Sequence, residues 1–154
     1  MKTIQKEAFT IIGISIRTSN EKGKSGTEIA QLWDRFMRDD IMNKIPGKLG
    51  DEIYSVYTNY EYDHTQPYDT ILGCRVSSGE KVPEGMVSLD IPTQTYAVFQ
   101  AKGNLREGNV VYEAWLKIFE APLNRSFIAD FEIFGKKATD PINAEVDILV
   151  GIHE

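Results

Sequence analysis

Two stretches decide the fold: Trp33-Asp34-Arg35-Phe36 followed by Glu52-Ile53-Tyr54, and Trp115-Leu116-Lys117-Ile118-Phe119 followed by Glu132-Ile133-Phe134. The tryptophans lie 82 residues apart and the glutamates 80, so the two stretches keep nearly the same offset. In each half an extended apolar run precedes an amphipathic helix with a central Trp. A Glu-Ile-aromatic strand and one further strand follow it. A βαββ unit used twice builds a continuous antiparallel sheet with one helix from each half, and it leaves a cleft near the pseudo-twofold axis. The expected class is therefore α+β. The repeats are expected at approximately 6–78 and 86–153 of a single domain over 1–154, with the cleft as the place to look for function.

The elements between these landmarks follow from local pattern. Residues 8–17, Ala-Phe-Thr-Ile-Ile-Gly-Ile-Ser-Ile-Arg, are β-branched and read as a buried strand. Ser25 with Glu28 three residues on is a capping-box signature. After it Ile29, Leu32, Trp33, Phe36, Met37 and Ile41 fall on one helical face. Residues 52–58 and 70–76 read as strands separated by a polar loop, Tyr60 to Pro67, taken as a surface connection rather than a lid. The second half reads as strands near 86–91 and 94–101, then a helix with Val111, Trp115 and Ile118 in its apolar stripe. Pro122 ends it, and strands at 130–134 and 145–152 close the chain.

Composition narrows the function classes. A chain of 154 residues can bury about 68–70% of its unfolded surface without a metal or disulfide. Cys74 is the single cysteine, which excludes an internal disulfide and suits a reducing cytoplasmic compartment. The start Met1-Lys2-Thr3-Ile4 lacks the apolar core of a signal peptide, and no stretch approaches a membrane span. A net charge of −6 with scattered basic residues argues against nucleic-acid binding. His64 and His153 offer little for a metal site or a His-based triad. Gly23-Lys24-Ser25 lacks the upstream glycine of a phosphate loop, so neither a metal nor a cofactor is expected.

Glu132 is the leading candidate for chemistry, because it sits between Phe131 and Ile133 and alternation puts it on the face of Phe134. A carboxylate held near aromatic faces is costly to desolvate unless a cation joins it. A solvent-facing Glu, or one paired with Lys136, is the competing reading. Glu145 and Asp147 share a face of the next strand and could join Glu132 in an acidic group, or mark the wet side of the sheet. Trp33 and Trp115 read as anchors of their helices. Tyr54 and Tyr57, three apart in a strand, face opposite ways, so at most one lines a given face.

These segments, in order, resemble the GyrI-like small-molecule-binding domain, the bacterial effector-binding domain. The matching stretches are Glu28 to Phe36, Asp51 to Tyr57, Gln94 to Phe99, Asp130 to Gly135 and Glu145 to Val150. The resemblance implies two βαββ modules around a cleft for lipophilic, often cationic aromatic ligands. It implies Glu132 as the cation-facing carboxylate and Glu145 as a second acidic contact. Phe134, Phe99, Trp33 and a tyrosine such as Tyr54 would be wall residues. Regulators of this type carry a DNA-binding module that neither end of this sequence matches. The expected roles are accordingly a ligand-binding or sequestering module, a protein-interaction module such as a gyrase inhibitor, or a hydrolase of electrophilic natural products using Glu132.

Overall fold

The computed structural model describes residues 2–106 and 109–153. Its strands and α-helices run β1 (Thr3–Lys6), β2 (Phe9–Thr18), α1 (Lys24–Arg38), β3 (Ile53–Thr58) and β4 (Tyr68–Val76) in the first half. The second half runs β5 (Val87–Ile91), β6 (Gln94–Gly103), α2 (Val110–Glu120), β7 (Arg125–Phe134) and β8 (Ala144–Ile152). All eight strands join one antiparallel sheet in the order β1-β6-β8-β7-β3-β4-β2-β5. That order is unchanged when β1 to β4 are exchanged with β5 to β8 and the sheet is read from the other edge. The halves meet at the central pair, β3 and β7, and each lends its first strand to the other: β1 pairs with β6 and β5 with β2.

This exchange forces the sheet to curl. β1 and β2 lie near opposite edges of the sheet yet are joined only by Glu7 and Ala8. Three Cα steps from Lys6 to Phe9 reach about 11 Å at most, so the edges are drawn together into a half-barrel. Its inner face holds Phe9, Ile11, Tyr54, Val56, Tyr96, Phe131 and Leu149. The Phe131 ring lies 5.5 Å from Phe9 and 5.0 Å from Tyr96, contacts between strands that are not neighbours in the sheet and that only curvature allows. β2 and β4 approach closely at the paired glycines Gly13 and Gly73. A Cβ on Gly13 would stand 2.0 Å from the Leu72 carbonyl oxygen, and one on Gly73 would stand 2.1 Å from that of Ile12. Only glycine tolerates this approach of two backbones.

Both helices pack on the outer face. Leu32 and Phe36 of α1 cover Ile12, Ile14, Leu72 and Cys74. Trp115 and Ile118 of α2 cover Ala101, Val146, Ile148 and Val150. The central strands β3 and β7 are left as the floor of a groove between the helices. Among the described residues no helix is long and apolar enough to cross a membrane, and no cluster of three or more His, Cys, Asp or Glu is placed to hold a metal.

Three local readings of the sequence are corrected. The capping box does not form: α1 starts at Lys24 after a left-handed Gly23 (φ 72°) and has no side-chain cap. Glu28 instead accepts from the Thr18 hydroxyl at 2.8 Å, tying the helix to β2. β1 was not anticipated, because its four residues are stabilised by a partner strand distant in sequence. β7 begins at Arg125, five residues before the expected start. Its register with β8 jumps from Arg125↔Ile152 to Asp130↔Val150, a bulge in which Phe127 takes a positive φ of 55°. A bulge erases the period-two signal by which strands are recognised in sequence.

Candidate functional site

The pleat decides which side chains reach the groove. Ser55 is paired with Glu132 and Tyr57 with Asp130, and directly paired residues share a face. Ile53, Ser55, Tyr57, Asp130, Glu132 and Phe134 therefore point toward the helices, while Tyr54, Val56, Phe131 and Ile133 point into the half-barrel.

Glu132 lies at the centre of this floor and is only 2% exposed. Its Oε2 accepts two hydrogen bonds, from the Tyr57 hydroxyl at 2.6 Å and from the Trp115 indole Nε1 at 2.8 Å. Among the described residues no Lys or Arg forms an ion pair with it. Burial pushes its pKa up to about 7, against the opposing pull of the Tyr57 and Trp115 hydrogen bonds. Tyr57 is held well above the usual phenol value, first by burial and then by the neighbouring carboxylate.

Two lobes open from this point. The smaller, about 180 Å³, is walled by Tyr57, Tyr60, Tyr68, Trp115, Phe119 and His64. The larger, about 1180 Å³, runs along Trp33, Met37 and Phe134 toward Glu52 and Lys136. They share Gly26, Ile29, Tyr57, Val111 and Glu132, so the carboxylate stands where the lobes meet. Gly26 and Ile29 come from α1 and Val111 from α2, so the cleft is bounded by both helices.

The far end of the smaller lobe is built by the β7 bulge. Arg125, with a side chain 6% exposed, pairs with fully buried Asp130 at 2.7 Å. Asp130 also accepts from the Tyr60 hydroxyl and the Gly151 amide. The guanidinium lies 4.3 Å from the Phe127 ring centroid and 5.7 Å from that of Trp115. Its NH1 is 3.3 Å from His64 Nδ1, and the His64 ring stacks on Phe119 at 4.0 Å. Burial, reinforced by Arg125, lowers the His64 pKa from its ordinary value.

The structure brings some of the anticipated residues together and separates others. Glu132 lines both lobes, and Trp33 and Phe134 form a T-shaped pair at 4.9 Å on the wall of the larger one. Tyr54 is not part of the cleft: one residue out of phase with Ser55, it is buried in the half-barrel against Phe131. Phe99 packs under α2 and lines neither lobe. Glu145 reaches the rim of the larger lobe but is paired with Lys102 and Lys137, and it sits on the opposite pleat from Glu132, whose partner on β8 is Ile148. The group of three carboxylates does not form. The loop from Tyr60 to Pro67 is a wall of the cleft rather than a surface connection, held by the Asn20 side-chain amide donating to the His64 carbonyl at 2.8 Å.

Tyr57, Tyr60, Tyr68 and Trp115 belong to the aromatic residues that the sequence offers for a cleft, but none was assigned to its wall, and His64 and Arg125 were not anticipated there. For Tyr57 a positional signal existed. It shares a pleat parity with Ser55, which a correct β3–β7 register would have placed against Glu132.

A family model described as integron-associated effector binding protein matches residues 3–152. The chain belongs to this family. It has a GyrI-like architecture, an antiparallel α+β sheet with a cleft. It is 30% identical over 147 residues to the putative transcriptional regulator protein YobU of Bacillus subtilis, covering 92% of this chain and 91% of YobU. It is 29% identical over 162 residues to the transcriptional regulator BrlR of Pseudomonas aeruginosa, covering 99% of this chain but 55% of BrlR. The chain thus spans about half of BrlR. An integron cassette protein from the mobile metagenome of Vibrio cholerae superposes with a TM-score of 0.73 at 25% identity, covering 99% of this chain and 95% of that one. SAV2435, solved bound to tetraphenylphosphonium, shares the fold with a TM-score of 0.79 at 15% identity, covering 99% of this chain and 93% of its own.

Proposed function

We propose that this effector-binding protein takes a lipophilic aromatic cation in the cleft, with Glu132 as its counter-charge. The observation that carries this reading is a carboxyl buried among aromatic rings, with one oxygen held by Tyr57 and Trp115 and with no Lys or Arg paired to it among the described residues. Near neutral pH a proton neutralises part of the Glu132 population, because burial has raised its pKa to about 7. A delocalised ligand cation replaces that proton at little desolvation cost of its own. The rings of Tyr57, Tyr60, Tyr68 and Trp115 offer cation–π contacts worth about 0.5–2 kcal/mol each. The ligand class named for SAV2435 agrees with this chemistry, and the relation to YobU and BrlR supports a role in ligand-dependent transcriptional response.

The test is a calorimetric titration with tetraphenylphosphonium and the neutral triphenylphosphine oxide, on wild type and Glu132→Gln. The expected result is saturable binding of the cation that weakens by about 1.4 kcal/mol or more in the variant, a tenfold loss. Equal affinity for both compounds, or no loss in Glu132→Gln, would sink the proposal.

A second reading, hydrolysis of an electrophilic ligand, is favoured by one feature. A carboxyl titrating near neutrality beside a tyrosine hydroxyl can act as acid or base on a bound water. Recovery of candidate electrophiles unchanged after long incubation removes it, whereas turnover lost in Glu132→Gln would place the enzyme reading first.

A further inference from the structure

The end of the smaller lobe away from Glu132 carries donors that the cation-binding reading does not use. Arg125 is nine-tenths buried, and its Nε is buried without a hydrogen-bond partner. Such a donor is costly to leave unmet. A guanidinium has no acceptor, so the contact between its NH1 and His64 Nδ1 requires that nitrogen to accept. The His64 proton then resides on Nε2, a donor with no protein partner among the described residues. Stacking on Phe119 fixes the plane of the ring. Both His64 and Arg125 line the lobe.

We propose that His64 and Arg125 form an acceptor-reading subsite, so that this cleft selects cations bearing a neutral hydrogen-bond acceptor, such as an ester or amide carbonyl, at a set distance from the charge. Neutrality follows from the local charge balance. Asp130 already pairs with Arg125, so an anionic group would find no net positive charge there and would place a second negative charge near Glu132. The spacing follows from the strand. Asp130 anchors Arg125, and Glu132 lies two residues further along β7 on the same face, so the two carboxyl-bearing positions that fix the ends of the lobe are about 7 Å apart along the strand. Trp115 spans the interval, its indole nitrogen bonded to Glu132 and its ring beside the guanidinium.

The inference rests on the cation-binding reading, and the experiment separates the two. Two probes are titrated into the wild-type protein and His64→Phe: tetraphenylphosphonium, and its analogue with a methyl ester at the para position of one ring. Wild type is expected to favour the ester by roughly fivefold, in line with one net hydrogen bond. His64→Phe keeps an aromatic ring against Phe119 and removes the donor, so it should bind the two probes with equal affinity, the ester preference being lost whatever its affinity for the parent. In unmodified protein labelled with ¹⁵N-histidine, the ester probe should shift the His64 Nε2 resonance further than the parent does. Both probes binding with a preference that His64→Phe leaves intact, or with equal Nε2 shifts, overturns the subsite alone. Failure of both probes to bind wild type removes the cation-binding reading and the subsite together.

Discussion

Tyr57 and Glu132 are joined by a 2.6 Å hydrogen bond, yet they are not direct cross-strand partners: Ser55 faces Glu132, and Tyr57 faces Asp130. The bond is a diagonal one across the floor of the cleft, and its strength depends on which of the two groups holds a proton. Glu132 titrates near 7 in the folded protein against about 4.5 when unfolded. Between those values the folded state binds more protons, so stability falls as pH rises. The contribution is fully present below pH 4.5 and is lost by about pH 7, with an order of magnitude of about 3 kcal/mol. Glu132→Gln, uncharged throughout, should flatten this part of the profile and melt above wild type at pH 8. Thermal melts from pH 4.5 to 8 check it, and parallel profiles for the two proteins would contradict it.

Ligand affinity should run the other way. A cation competes with the Glu132 proton, so affinity for tetraphenylphosphonium should rise by up to tenfold per pH unit below 7 and level off above it. Titrations at pH 5.5, 6.5 and 8 in one ionic strength read this slope. An affinity independent of pH would mean that the carboxylate is not the counter-charge.

The two tyrosines of β3 make a matched pair of tests. Tyr57→Phe removes a donor to the carboxylate, raises the Glu132 pKa further, and should weaken cation binding at pH 7 by about 1 kcal/mol. The loss should shrink at higher pH. Tyr54→Phe changes a residue inside the half-barrel and should leave binding unaltered. Equal losses in both variants would contradict the pleat assignment.

Arg125 and Asp130 form a buried pair whose halves cannot be removed singly without cost. Asp130→Ala leaves the guanidinium buried and uncompensated, with an expected loss of 3–5 kcal/mol, about what is typical for such pairs. Replacing both, Arg125→Met with Asp130→Leu, should cost less than the single change. Urea unfolding of the single and double variants decides it.

Gly13→Ala should destabilise strongly, because the added Cβ meets the Leu72 carbonyl oxygen at 2.0 Å and both partners are backbone. Gly26→Ala, at a helix position with open space around it, provides the control and should melt close to wild type. Similar melting temperatures for the two would contradict the close strand approach.

Much of the architecture was legible because it depends on pattern. Two helices with a central Trp, each between extended runs, identify the duplicated plan, and aromatic neighbours mark Glu132 as a candidate, a residue that the structure places where the two lobes meet. Tyr54 shows where that legibility ends. The recurrence of Glu-Ile-aromatic aligns Tyr54 with Phe134, but the structure puts the two on opposite faces of the sheet. A one-residue phase difference inverts every side chain of a strand, and register between distant strands is not written in either strand alone. Arg125 and His64 were hidden for a related reason. One is aimed by a bulge and the other by a loop, and neither has a periodicity to read.

The traded edge strands have a consequence for how the molecule comes into being. Thr3 to Lys6 hydrogen-bonds with Gln94 to Ala97, residues made some ninety positions later. An early segment of the growing chain thus has no place to settle until most of the remainder exists, and neither half can complete its own rim in the absence of the other. Such long-range closure slows folding relative to local hairpins. It also means that severing the connection between β4 and β5 would yield two pieces that must find each other before the cleft can close.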